Sequence, residues 1–586
     1  MSETDPPADG KGTAAPAHPR TRLLAPSFVG FQRSWIRPDV IAGLTVWAVL
    51  VPESLAYATI AGVPPVVGLY AAMPALVLYA LVGSSRHLVV SPMSATAALS
   101  LGVVSTVTDD PGEFVVLTAA LALATGLAAL LAGVLRLGFL AAFISEPVLK
   151  GFIIGLALTI MVGQLPSLIG VDKGSGNFFE KLWDLLKNLG DAEALATVVG
   201  LSSLAVLLGL RRWAPRVPAS LVVAALGIAA VAVFGLDDDG LDIVGTIDSG
   251  LPSLGLPDVG RSDFVELFGA AIGVMLVGFA EGLGAAKTYA AREGYDIDAN
   301  RELLGLGAAN VGAGLTSGMV VNGSLSKTAV NGSAGARSQL SGTTAAVLTL
   351  VTLLLLTGLF EQLPEATLAA IVIAAVLELV DVESLRRLWR VRGGVLGRAN
   401  RVTNRVDFLA AAAALLGVLL LDTLPGLVIG IGVSLVLLIA HASRPHVAVL
   451  VPVTHNDGGT EGRVWVDASR NPGLPGAPGA LVVRVEAPLL FANADYVRER
   501  VRGLVAATPG VRIVVLDGEA TPSIDVTASA MLVQLRTDLR RSGVELVLAE
   551  DVGQVRDVLA QAEPDGVPPV YVTIEDALRS TPPPPP

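Results

Sequence analysis

Three ionisable side chains stand inside otherwise apolar stretches of this 586-residue chain: Glu53 in LVPESLAYA, Glu281 in FVELFGAAIGVMLVGFAEGLGAAKTYA and Lys327 in NGSLSKTAVNGS. Charges in such surroundings are costly and mark ion or proton pathways. A carboxylate there is protonated, paired or part of such a pathway. Lys327 is a natural partner for Glu281. Two readings of Glu281 stay open: it takes up and releases a coupling proton, its charge balancing that of an anion, or it forms a static pair with Lys327. Pro52 removes a backbone bond and is expected to kink or interrupt its helix, which sets Glu53 and Tyr57 near one cavity. Glu53 then shares the proton duty or hydrogen-bonds in its neutral form. Glu146 and Lys150, four residues apart, read as a local pair.

Hydroxyl-rich segments accompany these charges. Ser91, Ser94 and Thr96 open one short, small-residue element, SPMSATAALS; Ser324, Ser326 and Thr328 open another, NGSLSKTAVNGS. A helix that starts within the membrane exposes its first N–H groups and the positive end of its dipole, an anion site that needs no cation. Pro92 suits a first helical turn, where its missing N–H costs little. If the two starts face each other, their donors converge on one anion and Lys327 adds its charge. The bland alternative is that the small residues only allow close helix packing; the lysine at membrane depth favours the anion site.

These segments need a membrane scaffold, and the charge distribution supplies one. The chain is 52% hydrophobic and 16% charged, against roughly 25% charged in soluble domains. About fourteen apolar elements follow one another, some short, where a full span takes about 20 residues. Basic residues gather in alternate gaps: Arg86; Arg136; Arg211, Arg212 and Arg216; Lys287, Arg292 and Arg301; Arg337; seven arginines between positions 386 and 405; and Arg444. The intervening gaps are acidic or neutral, and the mixed fifth gap, with Lys173, Lys181 and Lys187, reads as an external amphipathic helix. Positive loops remain cytoplasmic, so both termini are expected inside. An acid-bearing helix precedes an interrupted element in each half, and such matched interruptions point to a transporter site at mid-membrane. Cysteine is absent, which excludes disulfides and thiolate metal sites. The net charge of −12 argues against nucleic acid. No secretory signal precedes the first span; residues 1–30 and the Pro-rich 581–586 read as solvated tails.

The segment PPVVGLYAAMPALVLYALVGSSRHLVVSP, residues 64–92, resembles the signature of the SulP sulfate permease family, the bacterial relatives of solute carrier family twenty-six. GSLSKTAVNGSAGARSQLSG, residues 323–342, is similar to that family's tenth helix and FAEGLGAAKTYA, residues 279–290, to its eighth. The resemblance implies a polytopic α-helical membrane protein of fourteen transmembrane helices in two inverted repeats of seven, over residues 31–444. It further implies a core domain that moves against a gate domain, and commonly a homodimer. The anion would lie between the starts of helices three and ten, at a site comprising Glu53, Tyr57, Ser94, Glu281, Leu325, Ser326 and Lys327. Three departures bear on the cargo. Lys327 stands where relatives often carry Arg, a point charge in place of a planar fork. Glu53 holds a position that is frequently Gln, and Ala285 lies one turn after Glu281, where sodium-coupled bicarbonate relatives offer a hydroxyl. Its loss weakens a sodium site and favours protons.

Residues 445–580 alternate strand and helix patterns, which implies a small cytoplasmic α/β domain. HNDGGTEGRVWVDASRNPGLPGAPG, residues 455–479, reads as a flexible loop from its Gly and Pro content. The domain resembles the STAS module, in which some antagonists carry a phosphorylated Ser in the strand-turn-helix loop to which VVLDGEATPSIDVTASAML corresponds. Here Thr527 is the only hydroxyl at that place. It is read as a helix N-cap in preference to a phosphosite.

The expected function is secondary active import of a small anion, sulfate first, coupled to protons by an elevator-type motion in the plasma membrane. The alternatives are a bicarbonate or dicarboxylate carrier, sodium-coupled or not, and a passive anion channel or sensor that signals through STAS. No cofactor, resident metal or catalytic constellation is expected.

Overall fold

In the bilayer core a backbone must satisfy its own hydrogen bonds, so apolar stretches become helices and departures from helix survive only where protein or a cavity receives them. A computed structural model follows this rule; it describes residues 25–580 except 109, 144, 175, 215–216, 248–249, 378, 391–405, 422, 458–459, 552 and 563–565. Two compact units divide the chain, residues 1–385 with 410–431, and residues 386–409 with 432–586. Residues 1–24 of the N-terminal tail, the Pro-rich 581–586, and Arg216, Arg392, Arg398, Arg401 and Arg405 of the basic gaps lie outside the described residues. Residues 25–30, expected to be solvated, instead pack in part, with a 3-10 turn at Pro26–Phe28, a buried Ser27 and the Ala25 N–H donating to the Leu81 carbonyl at 2.7 Å.

The membrane part repeats one order of elements twice. The first half has α1 (Ile36–Ile60), α2 (Val66–Val82), β1 (Val89–Ser91), α3 (Ser94–Val104), α4 (Pro111–Val134), α5 (Glu146–Ile169), α6 (Phe178–Lys187), α7 (Ala194–Trp213) and α8 (Ala219–Phe234). The second has α9 (Arg261–Glu293), α10 (Ala299–Leu315), β2 (Asn322–Ser324), α11 (Leu325–Ser333), α12 (Leu340–Val351), α13 (Glu365–Leu377), α14 (Val382–Arg390), α15 (Val406–Leu421) and α16 (Thr423–Ser443). Each half places a short amphipathic helix, α6 or α14, after its fifth helix, which leaves fourteen other α-helices in this part among the described residues, mostly apolar, with the short polar α11 among them. The eighth of these is α9 and the tenth α11. α6 opens on a capping box in which the Asn177 side chain accepts from the N–H of Glu180 and the Glu180 carboxylate accepts from the N–H of Asn177.

Small residues let the helices meet. A Cβ on Gly126 of α4 would lie 2.5 Å from the backbone N of Val311 on α10, so only glycine allows that approach. At the beginning of α1 the fully buried Asp39 accepts from the N–H groups of Arg337 and Ser338, at 2.6 and 3.1 Å, and from the Ser338 hydroxyl at 2.5 Å. It thereby fixes the turn between α11 and α12. Glu302 of α10, equally buried, accepts from the Tyr79 hydroxyl at 2.7 Å and from the N–H groups of Ser84 and Ser85 at 2.9 and 3.1 Å. That anchors the segment leading into β1.

The second unit holds a six-stranded sheet. Its strands are β3 (Val447–Asp457), β4 (Thr460–Asp467), β5 (Ala480–Val485), β6 (Ile513–Asp517), β7 (Glu545–Ala549) and β8 (Val570–Tyr571), in the order β4-β3-β5-β6-β7-β8. β5 to β8 are parallel, as expected where helices α17 (Ala494–Ala507), α18 (Val526–Arg541) and α19 (Gly553–Ala562) intervene; α20 (Ile574–Arg579) follows β8. Val483, Leu516, Leu532 and Leu535 pack one face of the sheet; Val482, Val515, Val547 and Ile574 pack the other.

One expectation fails here. The flexible loop at 455–479 is for much of its length a β-hairpin, with Asp457 opposite Thr460 and Val453 opposite Val464. Asp-Gly-Gly between two β-prone runs is a hairpin signal, outweighed in the sequence reading by the later Gly-Pro stretch.

Glu545, the first residue of β7, receives Arg540 Nε at 2.6 Å and Arg536 Nη2 at 2.9 Å. Partial burial works to raise its pKa, but the hydrogen bonds from Arg540 and Arg536 prevail and hold the carboxyl below its usual range. A lowered folded pKa contributes stability that is present above the unfolded value, roughly 4.3, and is lost as pH falls through the folded value. Glu545→Gln is therefore expected to melt below the parent at neutral pH, with the gap closing in acid. A gap that stays constant from pH 7 to pH 3 sinks the assignment.

Candidate functional site

The two interrupted elements meet. β1 and β2 form an antiparallel ladder, Val89 opposite Ser324 and Ser91 opposite Asn322, and each strand leads directly into a short helix. The sequence reading began these helices at Ser91 and Asn322. The structure begins them later, at Ser94 and Leu325, because the first residues of each motif are extended and spend their backbone bonds on the ladder. Pro92 consequently lies in extended chain before α3 and not in a first helical turn. α1 likewise runs unbroken through Pro52, which does not interrupt it.

β2 rests on α9 because glycines clear the way. A Cβ on Gly323 would come within 2.9 Å of the Gly282 Cα, and one on Gly278 would meet Asn322 at 3.2 Å. Gly278 and Gly282, which meet the strand, lie on either side of Glu281 in the sequence.

The helix starts differ in capping. At α11 the Ser324 hydroxyl accepts from the backbone N–H of Lys327 at 3.3 Å. At α3 the N-cap residue Met93 makes no side-chain cap, so the leading N–H groups of that helix have no capping side chain among the described residues. Ser94 is the first residue of α3 and is buried; Leu325 and Ser326 are exposed, Leu325 by 52%.

Lys327 is 1% exposed and has protein partners: Nζ lies 3.2 Å from Glu53 Oε2, donates to the Pro92 carbonyl at 3.0 Å, and sits 4.9 Å from the centre of the Tyr57 ring. The Tyr57 hydroxyl donates to the same Glu53 oxygen at 3.3 Å. One turn of α1 separates Glu53 from Tyr57, so a single helix face supplies both contacts. The expected Lys327–Glu281 pair is thus corrected: the lysine closes on Glu53, because α11 contacts α1 across the start of α3. Among the described residues Glu281 has no ion-pair partner, and its buried Oε2 accepts no hydrogen bond. Glu146 and Lys150 pair as expected, at 2.8 Å.

The hydroxyl of Thr328, read from the sequence as one of those that open the second element, accepts from the N–H of Val89 at 3.0 Å and so locks α11 to β1. The sequence reading missed the anchors Asp39 and Glu302. Glu302 carried a readable signal, an acid opening the apolar repeat of α10. Asp39, at the border of the first span, carried none. In the second unit Asp525, not Thr527, caps α18 by accepting from the N–H of Ala528 at 2.8 Å. Thr527 lies one position inside the helix and is exposed. Aspartate is the better acceptor at an N-cap, and its second oxygen also accepts from the N–H of Phe491 at 2.6 Å.

Fourteen mostly apolar helices, two short ones among them that start from a shared ladder, and an α/β domain define a polytopic membrane transporter. Comparison with known proteins specifies it. The model of the Sulfate permease family matches residues 36–394 and that of the STAS domain residues 471–577. The chain belongs to the sulfate permease family; it is an anion transporter and not an enzyme. It is 38% identical over 558 residues to a "Probable sulfate transporter" of Mycobacterium tuberculosis, covering 94% of this chain and 96% of that one. With "Probable sulfate transporter 3.4" of Arabidopsis thaliana it shares 29% identity over 571 residues, 93% and 84% of the two chains. Its fold matches the murine SLC26 family member A9 anion transporter in an inward-facing state, with TM-score 0.82 at 22% identity, covering 95% and 93%. It also matches the transmembrane domain of a cyanobacterial bicarbonate transporter, BicA, with TM-score 0.58 at 23% identity, covering 68% and 98%.

Proposed function

We propose that the chain is a proton-coupled importer of a small oxyanion, with sulfate as the first candidate, working by an elevator-type motion in the plasma membrane as a homodimer with both termini cytoplasmic. The observation that carries this reading is the uncapped start of α3 beside a neutralised lysine, with an unpartnered carboxylate close to the same ladder. The Lys327–Glu53 pair contributes no net charge, so helix-end N–H groups and the hydroxyls of Ser94 and Ser326 hold the anion. Tyr57 and Leu325 line the approach. A dianion brought to mid-membrane needs positive charge in company, and a proton taken up by Glu281 supplies it. Ala285 offers no oxygen to a sodium ion, which removes one ligand from a cation that needs several. The names of the relatives in Mycobacterium and Arabidopsis support sulfate.

The test is uptake of labelled sulfate, bicarbonate and fumarate into liposomes holding the purified chain, with proton and sodium gradients imposed separately. Sulfate accumulation above equilibrium under an inward proton gradient is expected. Flux driven by sodium alone overturns the coupling, and passive equilibration under every gradient leaves a channel.

A further inference from the structure

Behind the helix starts, Thr96 of α3, Thr125 of α4, Asn310 of α10 and Asn322 of β2 converge on one cavity of about 10 Å³. Its remaining walls are mainly apolar, among them Val274 and Phe279 of α9. The four polar residues are each at most 3% exposed. Two of their atoms, Thr125 Oγ1 and Asn322 Nδ2, have no hydrogen-bond partner among the described residues. The other two side chains are engaged: Asn310 Nδ2 donates to the carbonyls of Leu306 and Val321, its Oδ1 accepts from the N–H of Val321, and the Thr96 hydroxyl donates to the Met93 carbonyl.

We propose that this cavity is the binding site of a single structural water molecule that ties α4 to β2. The volume is about what one water needs, and such waters make two to four hydrogen bonds to polar groups that would otherwise go unpaired. The inventory balances. Water accepts from Asn322 Nδ2 and from the Thr125 hydroxyl; it donates to the second lone pairs of Asn310 Oδ1 and Thr96 Oγ1. A cation does not suit the site, since no carboxylate lines it and an amide N–H points in; a polyatomic anion does not fit the volume. The inference is independent of which anion the protein carries.

Its consequence is mechanical. Asn322 begins the strand that ends at the start of α11, and its side chain lies against Gly278 and Gly282 on either side of Glu281. The water makes Thr125 a positioning residue for that strand, although α4 touches neither helix start in sequence.

Two measurements on the full chain test this. Cryo-electron microscopy in lipid nanodiscs, at a resolution that shows ordered solvent, is expected to reveal one peak within hydrogen-bond reach of Thr125 and Asn322, absent in Thr125→Val. Thermal unfolding is expected to place Thr125→Val roughly 1–2 °C below the parent, and Thr125→Ser, which keeps the hydroxyl, close to it. In a dry cavity the sign reverses, because valine removes an unpaired buried hydroxyl. A midpoint that is unchanged or raised in Thr125→Val, or no peak in the parent, overturns the proposal.

Discussion

Lys327→Met is expected to destabilise the membrane domain by about 3–5 kcal/mol, the cost of leaving one member of a buried ion pair alone. Glu53 is 5% exposed and would keep its carboxylate without the ammonium 3.2 Å away, while the Pro92 carbonyl loses its donor. Glu53→Gln in the same chain removes the stranded charge, so the double variant is expected to recover most of the loss. Thermal unfolding of the four proteins in one detergent closes the cycle. If Lys327→Met melts with the parent, the pair contributes nothing to stability and its role in holding α1 to the helix starts falls. Recovery of the fold without recovery of uptake would separate the structural part of the lysine from its part in transport.

Glu281→Gln is expected to abolish concentrative uptake while it spares exchange. With one proton per sulfate dianion the cycle moves one net negative charge, so with the membrane potential clamped at zero each pH unit of gradient supports about a tenfold accumulation, since 1.4 kcal/mol is a factor of ten. Glutamine keeps the size of the side chain but cannot take up the proton, so the accumulation ratio falls to one. Counterflow of labelled against unlabelled anion continues, because the α3 and α11 starts are intact. Persistent tenfold accumulation in this variant would move the proton to Glu53, the other membrane carboxylate near the ladder. The geometry argues against that order of roles: Glu53 has a lysine and a tyrosine hydroxyl on one oxygen, and Glu281 has a buried oxygen with neither.

Much of this was legible in the chain. The alternation of basic and acidic gaps and the repeated punctuation at Ser91 and Asn322 implied two halves with matched interruptions, and the element order repeats as they require. The residues at the interruptions were legible too. Their pairing was not. Glu53 and Glu281 both lie in apolar helices, and nothing in their local sequence says which one reaches Lys327; that choice is made by the contact of α1 with α11, between segments more than 270 positions apart. The same limit hid Asp39 and Glu302, whose partners are backbone N–H groups of distant turns and carry no sequence mark. The hairpin at β3–β4 was a different failure. Its Asp-Gly-Gly signal stands in the sequence between two β-prone runs, beside a Gly- and Pro-rich stretch whose composition reads as loop.

The unequal ends of the two short helices carry one more implication. Ser324 already occupies an N–H at the second helix, whereas no side chain among the described residues caps the first. A solute seated between them, as proposed, would be gripped more firmly from the N-terminal repeat. Affinity should respond more to bulk introduced beside Ser94 than to bulk beside Ser326, and the last contact to break on release lies on the side of Ser94, so a fold built by duplication need not let go of its cargo symmetrically.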